Sequence, residues 1–373
     1  MLGWALFTSK GEGAPEAGEA FIRARNLCDH LGDRSSLGRV LHMQGGHYVA
    51  RAKYAAARLV AEELLQVALE RNDAALELQA HQLLGRSLHW LGAVVSAVDQ
   101  FERALSVRVP ETSDESVDTS RVTALSYLAY DLTLLGYLDQ AIARRGQALA
   151  LARQTSRPYS LAVALGWAAR VDVLRGAEQS ALECIMEMAA IAKEQSFALF
   201  LAGADLGLAR TLSRTGKTAE GLALARQAVA DYAATHSSGQ TAWLAHLGYC
   251  CERAGEIDEA LSLLDTALEV ADATDARFFE AELYRLKGEW LAAHRGAHVE
   301  AAGCYQRALA VARKQHAKFL ELRAATSLAR LWHDQGRSTE ARDLLAPICG
   351  WFTEGFETPD LKEAKALLDE LAL

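Results

Sequence analysis

The segment Gly248-Tyr-Cys-Cys-Glu-Arg-Ala-Gly-Glu-Ile-Asp-Glu-Ala-Leu-Ser-Leu-Leu-Asp-Thr-Ala267 decides the fold of this 373-residue chain. It places small residues seven positions before and five positions after a turn glycine, Gly255. Small residues there allow two antiparallel helices to approach closely, and spacings of three and four put Ala260, Leu264 and Ala267 on one face. The glycine suits the left-handed backbone that ends a helix. The segment therefore predicts a hairpin of two helices.

The same pattern recurs along the chain. The equivalent turn glycines are Gly92, Gly136, Gly176, Gly216, Gly255, Gly296 and Gly336. Their spacings are 44, 40, 40, 39, 41 and 40 residues. Extrapolation toward the N-terminus predicts further turns near Arg51 and Lys10, so that nine units fit the chain. The longest spacing contains the polar stretch 109–118, which predicts a loop insertion.

This periodicity is typical of the tetratricopeptide repeat (TPR), lengthened from about 34 residues to about 40, so that each helix has about four turns. Stacked hairpins of this kind bury a continuous core and form a superhelix with a concave inner wall. We therefore predict an all-α fold: a right-handed superhelical solenoid of about nine TPR-like hairpins, forming a single domain over residues 1–373.

The two ends of the array differ. Residues 1–34 predict a truncated first repeat, because most of its first helix is missing. This start has two interpretations: a short natural beginning, or the tail of a longer polypeptide. At the other end, Thr358 and Pro359 are typical first residues of a helix, and residues 358–371 predict a C-terminal capping helix with a polar outer face.

The composition excludes several classes of protein. The chain is 51% hydrophobic, which excludes disorder, and its 39 basic and 48 acidic residues give a net charge of −9. An acidic balance argues against direct nucleic-acid binding. No apolar run approaches the length of a membrane span. The six cysteines are scattered without a CxxC pair, and no secretion signal is recognisable, which predicts reduced thiols and a cytoplasmic location.

Three segments near the C-terminus carry a family resemblance. They are Ala281-Glu-Leu-Tyr-Arg-Leu-Lys-Gly-Glu289, Leu320-Glu-Leu-Arg-Ala-Ala-Thr-Ser-Leu-Ala-Arg-Leu-Trp332 and Gly350-Trp-Phe-Thr-Glu-Gly-Phe-Glu-Thr-Pro-Asp-Leu-Lys-Glu-Ala-Lys-Ala-Leu-Leu368. They resemble the C-terminal helical-repeat region of bacterial multidomain signalling ATPases. In that family a nucleotide-cyclase or DNA-binding module precedes a P-loop ATPase, and tetratricopeptide repeats end the chain. Cys349 departs from the Tyr expected there.

The resemblance is close from Glu282 to Leu371 and looser back to about residue 40. It implies a sensor or scaffold region, because the catalytic residues of that family precede the repeats. It favours the interpretation that the chain is the tail of a longer polypeptide. The ATPase or cyclase domains would then be partners in cis or in trans.

The sequence offers little evidence of catalysis. Arg214-Thr-Gly-Lys-Thr218 resembles the end of a Walker A motif, but the required glycine five positions before Gly216 is Thr211. His294 and His298 flank a predicted turn, and no further metal ligand lies nearby. No GxSxG, HExxH or dinucleotide-binding motif occurs. We therefore predict no enzyme activity, no cofactor and no metal site.

One structural position of the repeat predicts a binding surface. The residue after the small position of the first helix should face the concave wall; in successive units it is Arg86, Tyr130, Arg170, Arg210, Tyr249, Glu289 and Arg330. One helical turn later come His89, Glu252 and His333. The guanidinium group recognises carboxylate and phosphate through its planar fork. The alternative is that these arginines pair with acidic residues of neighbouring helices.

These observations predict a non-enzymatic protein-interaction and sensor module. Its groove would bind an acidic, extended peptide segment or a partner helix. A second interpretation is a sensor of a small-molecule inducer that lodges in the superhelix. A third, with the least support, is an enzyme with scattered catalytic residues.

Overall fold

The computed structural model describes residues 13, 15–110, 115–235 and 238–372, and all regular structure in these residues is helical. The eighteen described helices are α1 (Pro15–Leu31), α2 (Arg34–Ala50), α3 (Tyr54–Arg71), α4 (Ala74–Trp90), α5 (Val94–Ser106), α6 (Glu115–Leu135), α7 (Leu138–Gln154), α8 (Pro158–Leu174), α9 (Glu178–Gln195), α10 (Ala198–Arg214), α11 (Thr218–Ala234), α12 (Gln240–Arg253), α13 (Ile257–Thr274), α14 (Glu280–Arg295), α15 (His298–Lys314), α16 (Lys318–Asp334), α17 (Ser338–Cys349) and α18 (Pro359–Glu370).

The helices from α2 to α17 form eight consecutive hairpins, from α2/α3 to α16/α17, and each hairpin packs on the next. The all-α solenoid prediction is confirmed. All seven predicted turn glycines have a left-handed φ, between 61° and 92°. In the turn predicted near Arg51 the left-handed residue is Ala52, with φ 53°.

Small residues allow close helix packing within the hairpins. At Gly85 of α4, a Cβ atom would lie 2.4 Å from Cε1 of Phe101 on α5. The Phe101 ring itself is fully buried. A side chain at position 85 would therefore force the two helices apart, which explains why the repeat keeps a small residue there.

The superhelix closes on itself, which the sequence did not predict. The Trp90 carbonyl at the end of α4 accepts a hydrogen bond of 2.8 Å from the backbone N–H of Arg277, between α13 and α14. Gln315 Nε2 donates to the Arg277 carbonyl at 2.7 Å. A turn of one hairpin therefore contacts loops that lie more than four hairpins later in the chain.

Three further contacts continue this boundary between successive superhelical turns, which we call the seam. Tyr54 hydrogen-bonds to Ser238 and Gly239, between α11 and α12. In the third hairpin, the ring of Tyr137 lies 5.8 Å from that of Trp351, and the Asp139 N–H donates to Glu354 at 3.2 Å.

In the fourth hairpin, the turn residue Gly176 packs against Pro359, the first residue of α18. The turns of the second, third and fourth hairpins therefore all contact segments that lie much later in the chain, and these contacts close the superhelix.

One predicted boundary differs from the structure, and another lies partly outside the described residues. The polar insertion 109–118 is too long, because α6 begins at Glu115; residues 111–114 lie outside the described residues. Val117 is fully buried, and Gln79 Nε2 donates to Ser116 Oγ at 2.8 Å, so both residues anchor the first turn of α6. Of the predicted truncated repeat 1–34, the structure describes residues 13 and 15–34, which contain α1.

The predicted capping segment contains α18, and Thr358 stands at its N-cap position. The Thr358 hydroxyl donates to the Gly355 carbonyl at 2.8 Å and does not accept a bond from the helix. Among the described helices, none combines the length and the apolar character that a bilayer crossing requires.

Candidate functional site

Side chains from six inner helices meet near the axis of the superhelix. We call this site the central groove and define it by residues on α6, α8, α10, α12, α14 and α16: Tyr130, Arg170, Arg210, His246, Tyr249, Glu282, Arg285, Glu289 and Arg323. The charges of Arg170, Glu282 and Arg323 act on Tyr130. Arg210, Arg170 and Glu282 likewise act on the pKa of His246, and Arg323 lies 3.4 Å from Glu282.

Arg170 is the exposed cation of the groove that lacks an acidic partner. Its guanidinium lies 4.6 Å from the centroid of the Trp167 ring, one helical turn earlier on α8. Arg170 makes no hydrogen bond or ion pair with the part of the chain that the structure describes. The aromatic contact orients the guanidinium without neutralising it, so its donors remain available to a ligand.

The other predicted arginines have different environments. Arg210 forms two hydrogen bonds, of 2.8 and 3.0 Å, with Glu178 and also lies over the Tyr249 ring. Arg330 donates to Glu363 at 2.9 Å. Arg86 is half-buried with its guanidinium 5.8 Å from the Tyr127 ring. Arg210 and Arg330 therefore occupy this repeat position as partners of acidic residues on neighbouring helices. Arg170 has no such partner among the described residues.

The prediction that His89 faces the groove is wrong. His89 and Asp131 are both fully buried, and His89 Nδ1 lies 2.6 Å from Asp131 Oδ1. Five aromatic rings surround the imidazole with centroid distances of 4.9 to 5.8 Å: Trp90, Tyr127, Tyr130, Trp167 and Phe278. Phe278 lies on the other side of the seam, so closure of the superhelix supplies one of the five rings that bury His89.

Two more residues of the predicted row bind within the protein. His333 Nδ1 lies 3.2 Å from Ser338 Oγ, at the start of the second helix of its own hairpin. Glu252 Oε1 lies 2.8 Å from His294 Nε2 on the next inner helix. The contacts of His333 and Glu252 do not place either side chain in the cluster around Arg170.

One wall of the groove is an ion-pair network that sequence analysis missed. Arg285 donates to both oxygens of Glu282, at 2.9 and 2.8 Å, and to Glu289 at 2.7 Å. Arg323 lies 3.4 Å from Glu282 and 3.2 Å from Asp360 on α18. The spacing of three and four residues between Glu282, Arg285 and Glu289 on one helix is a signal that could have revealed part of this network.

Burial and charge set the protonation of the groove. Dehydration lowers the pKa of His246 to about 3, and the nearby positive charges of Arg210 and Arg170 contribute to this shift, against the attraction of Glu282. His246 is therefore neutral at pH 7. Burial opposes the ionisation of Glu282, but Arg285 and Arg323 outweigh it and hold the pKa of that carboxyl below its usual range.

A candidate cation site at the turn between α12 and α13 is already neutralised. Ligand atoms of Cys251, Glu256 and Glu259 lie within 4.8 Å of one another. The guanidinium of Arg226 contacts both carboxylates, at 2.5 and 2.7 Å. Burial and the two carboxylates raise the pKa of the Cys251 thiol to about 12. A protonated thiol and an internal cation argue against a metal at this position, and we assign none.

The serial hairpins and the inner wall define the molecule as a TPR-like helical-repeat protein. No family model and no curated protein matches the sequence.

Solved structures with the same architecture include a Rap protein complexed with Competence and Sporulation Factor, with a TM-score of 0.57 and 13% identity over 91% of this chain and 98% of that chain. The APC/C hetero-tetramer Cut9-Hcn1 gives a TM-score of 0.54 and 14% identity over 96% of this chain and 59% of that chain. A human IFIT1 dimer with PPP-AAAA gives a TM-score of 0.51 and 14% identity over 100% of this chain and 81% of that chain. At these identities the similarity establishes the fold alone.

Proposed function

We propose that the chain is a non-enzymatic protein-interaction module that binds an acidic, extended partner segment in the central groove. The observation that carries this proposal is the unpaired guanidinium of Arg170 on Trp167. A carboxylate can accept two parallel hydrogen bonds from such a fork, and charge-assisted bonds are about twice as strong as neutral ones. Partial dehydration of the groove strengthens the attraction further.

The surroundings of Arg170 favour an anionic ligand. His246 is neutral, and the Glu282 carboxylate is bound by Arg285 and lies close to Arg323. A ligand carboxylate therefore meets little competition from neighbouring acids for Arg170. The architecture supports a protein ligand, because the similar structures include a complex with Competence and Sporulation Factor and the Cut9-Hcn1 assembly.

In this proposal the module is the regulatory part of a signalling ATPase or nucleotide cyclase in the cytoplasm. Ligand binding would shift the conformation of the attached or partner domains, provided that the ligand binds one conformation more tightly than the other. Direct binding of nucleic acid is not part of the proposal, since the net charge is −9.

The test is peptide binding by an Arg170→Ala variant. The probe is a library of random linear octapeptides, and the readouts are mass spectrometry of the retained peptides and fluorescence anisotropy of those enriched. Loss of a charged hydrogen-bond partner costs about 1.5–3 kcal/mol. We therefore expect binding of the enriched peptides to weaken by roughly 10- to 100-fold.

The matched control is Arg330→Ala. Arg330 occupies the same repeat position but is paired with Glu363 on the surface, so its loss should change affinity less than about two-fold. Equal binding by wild type and Arg170→Ala would contradict the proposal. Thermal stabilisation by a small-molecule collection in the absence of any retained peptide would favour the inducer sensor instead.

A further inference from the structure

The first turn of α18 lies against the wall of the central groove. Pro359 begins this helix and packs on Gly176, since a Cβ atom there would lie 2.6 Å from Pro359 Cγ. Gly176 is the turn glycine of the hairpin that carries Arg170. The next residue of α18 is Asp360, whose carboxylate Oδ1 lies 3.2 Å from Arg323 Nε. An acidic side chain of the protein itself therefore occupies a cation of the groove.

The ion pairs of the groove wall leave Asp360 as the main partner of Arg323. Glu282 accepts two hydrogen bonds from Arg285, at 2.9 and 2.8 Å, and lies farther from Arg323, at 3.4 Å. Together with Glu289, which accepts from Arg285, the wall contains two guanidinium groups and three carboxylates, a formal charge of −1. Without the charge of Asp360 the same wall would be neutral, and the Nε donor of Arg323 would be available to a ligand.

Asp360 is held weakly in this position. Among the described residues, Arg323 is the one cation within ion-pair distance of the Asp360 carboxylate. Burial raises the pKa of this carboxyl, and the attraction of Arg323 opposes the shift without overcoming it. Such an ion pair adds little net stability, because dehydration offsets the Coulomb attraction. The helix docks instead through the buried side chains of Leu361, Leu367 and Leu371, so Asp360 can leave Arg323 while α18 stays in place.

We infer, on the basis of the proposed function, that Asp360 is an internal competitor for the acidic ligand. In the free protein its carboxylate occupies Arg323. A ligand that places one carboxylate on Arg170 and a second on Arg323 displaces Asp360, which turns toward solvent. The contact is therefore autoinhibitory. It lowers the affinity for acidic segments, and it favours segments with at least two acidic residues, because a second carboxylate is needed to take Arg323.

Binding of the random linear octapeptides by an Asp360→Asn variant tests the inference. The substitution removes the charge and keeps the size of the side chain, so the urea midpoint should stay near that of wild type. We expect the variant to bind the enriched acidic peptides about ten-fold more tightly, roughly the smallest gain for one charge-assisted hydrogen bond. The matched control is Glu363→Gln on the same helix. Glu363 pairs with Arg330 on the surface, so this change should alter affinity less than about two-fold.

A second background tests whether Arg323 is the cation that Asp360 blocks. In Arg323→Gln, the additional change Asp360→Asn should raise affinity less than about two-fold, because no cation becomes available. An equal gain in both backgrounds would overturn the inference, since general charge repulsion would then explain the gain.

The remaining outcomes separate the inference from the proposed function. Equal binding by wild type and Asp360→Asn of peptides that Arg170→Ala loses would overturn the inference and leave the proposed function intact. Binding of acidic peptides by Asp360→Asn alone would support both, with a stronger inhibition than expected. Failure of wild type and of Asp360→Asn to bind any octapeptide would overturn both.

Discussion

Arg170, Arg210 and Arg330 occupy one repeat position, yet each has a different electrostatic environment. Glu178 neutralises Arg210 and Glu363 neutralises Arg330, while Arg170 lies on an aromatic ring. The repeat pattern could place all three arginines on inner helices. It could not indicate which of them is unpaired, because the partners of the other two are 32 and 33 residues away and belong to neighbouring elements.

The depressed pKa of His246 gives a prediction for acid stability. Folded His246 stays unprotonated down to about pH 3, whereas an unfolded histidine binds a proton near pH 6.5. With respect to His246, the free energy of unfolding has its full value above pH 6.5. It falls as the pH drops from 6.5 toward 3, because the unfolded state then binds a proton that the folded state does not. In His246→Gln we expect the slope of unfolding free energy against pH to fall by about 1.4 kcal/mol per pH unit between pH 6 and 4.

Urea denaturation at a series of pH values measures this slope. His42 provides a parallel case, because burial and the charge of Arg86 lower its pKa to about 4. His42→Gln should reduce the slope over a narrower range that ends near pH 4. Unchanged slopes in both variants would show that neither imidazole is dehydrated as described.

At the scale of the element, the hairpin turns differ in what packs on their glycine. We call a turn covered where another part of the chain contacts the glycine position, and open where no described residue does. The residues before the glycine are Leu91 and Leu135 in two covered turns, but Thr215 and Gln335 in two open turns. In these open turns, a Cβ atom added to the glycine would have no neighbour within 4 Å among the described residues. Two other turns break this pattern, because Arg175 precedes the covered Gly176 and Ala254 precedes the open Gly255. The residue before the glycine therefore does not identify the turns that pack in the seam.

The contrast predicts different costs for two chemically identical substitutions. Gly92 and Gly216 both have a left-handed φ, of 73° and 90°, so alanine strains both by about 1–2 kcal/mol. At Gly92 the new methyl would also lie 2.8 Å from Arg277 Cβ. We expect Gly92→Ala to cost a further 1–3 kcal/mol, roughly the range for overpacking. Equal urea midpoints for the two variants would contradict the seam contact.

Helix boundaries show where sequence patterns lose precision. The hairpins, their period and the capping helix follow from small residues, turn glycines and a terminal Thr-Pro pair. The start of α6 at Glu115 was missed, because residues 115–118 are mostly polar and resemble a loop. Burial of Val117 favours the helix, and that burial depends on tertiary packing.

At the scale of the whole molecule, closure of the superhelix is the main departure from the sequence prediction. A repeat motif describes contacts between neighbouring units, whereas Asp139 and Glu354 are 215 residues apart. The same long-range closure packs the Phe278 ring against His89. These features have no local sequence period, and this explains why the groove residues were predicted only in part.

Because the superhelix closes on itself, we expect a destabilising substitution near the C-terminus to loosen the third hairpin as well. Phe352 is 4% exposed and packs near Gly136, so Phe352→Ala should cost about 3–5 kcal/mol. Hydrogen exchange should accelerate at residues 136–140 as well as at residues 350–358, because local unfolding of the seam exposes both sides.

Phe356→Ala is the control, since this ring is 57% exposed and lies in the same loop. It should leave exchange at residues 136–140 unchanged. Exchange confined to residues 350–358 in Phe352→Ala would indicate that the two superhelical turns are independent.

The seam also limits how such a gene can evolve. An open repeat array tolerates duplication of a unit by unequal recombination, since each unit touches only its neighbours. Here, one additional unit between α9 and α10 would shift every pairing across the seam, leaving Trp90 opposite a loop other than the one that contains Arg277. The seam contacts consequently fix the number of units. Related sequences can therefore change the residues of the groove more easily than the number of repeats.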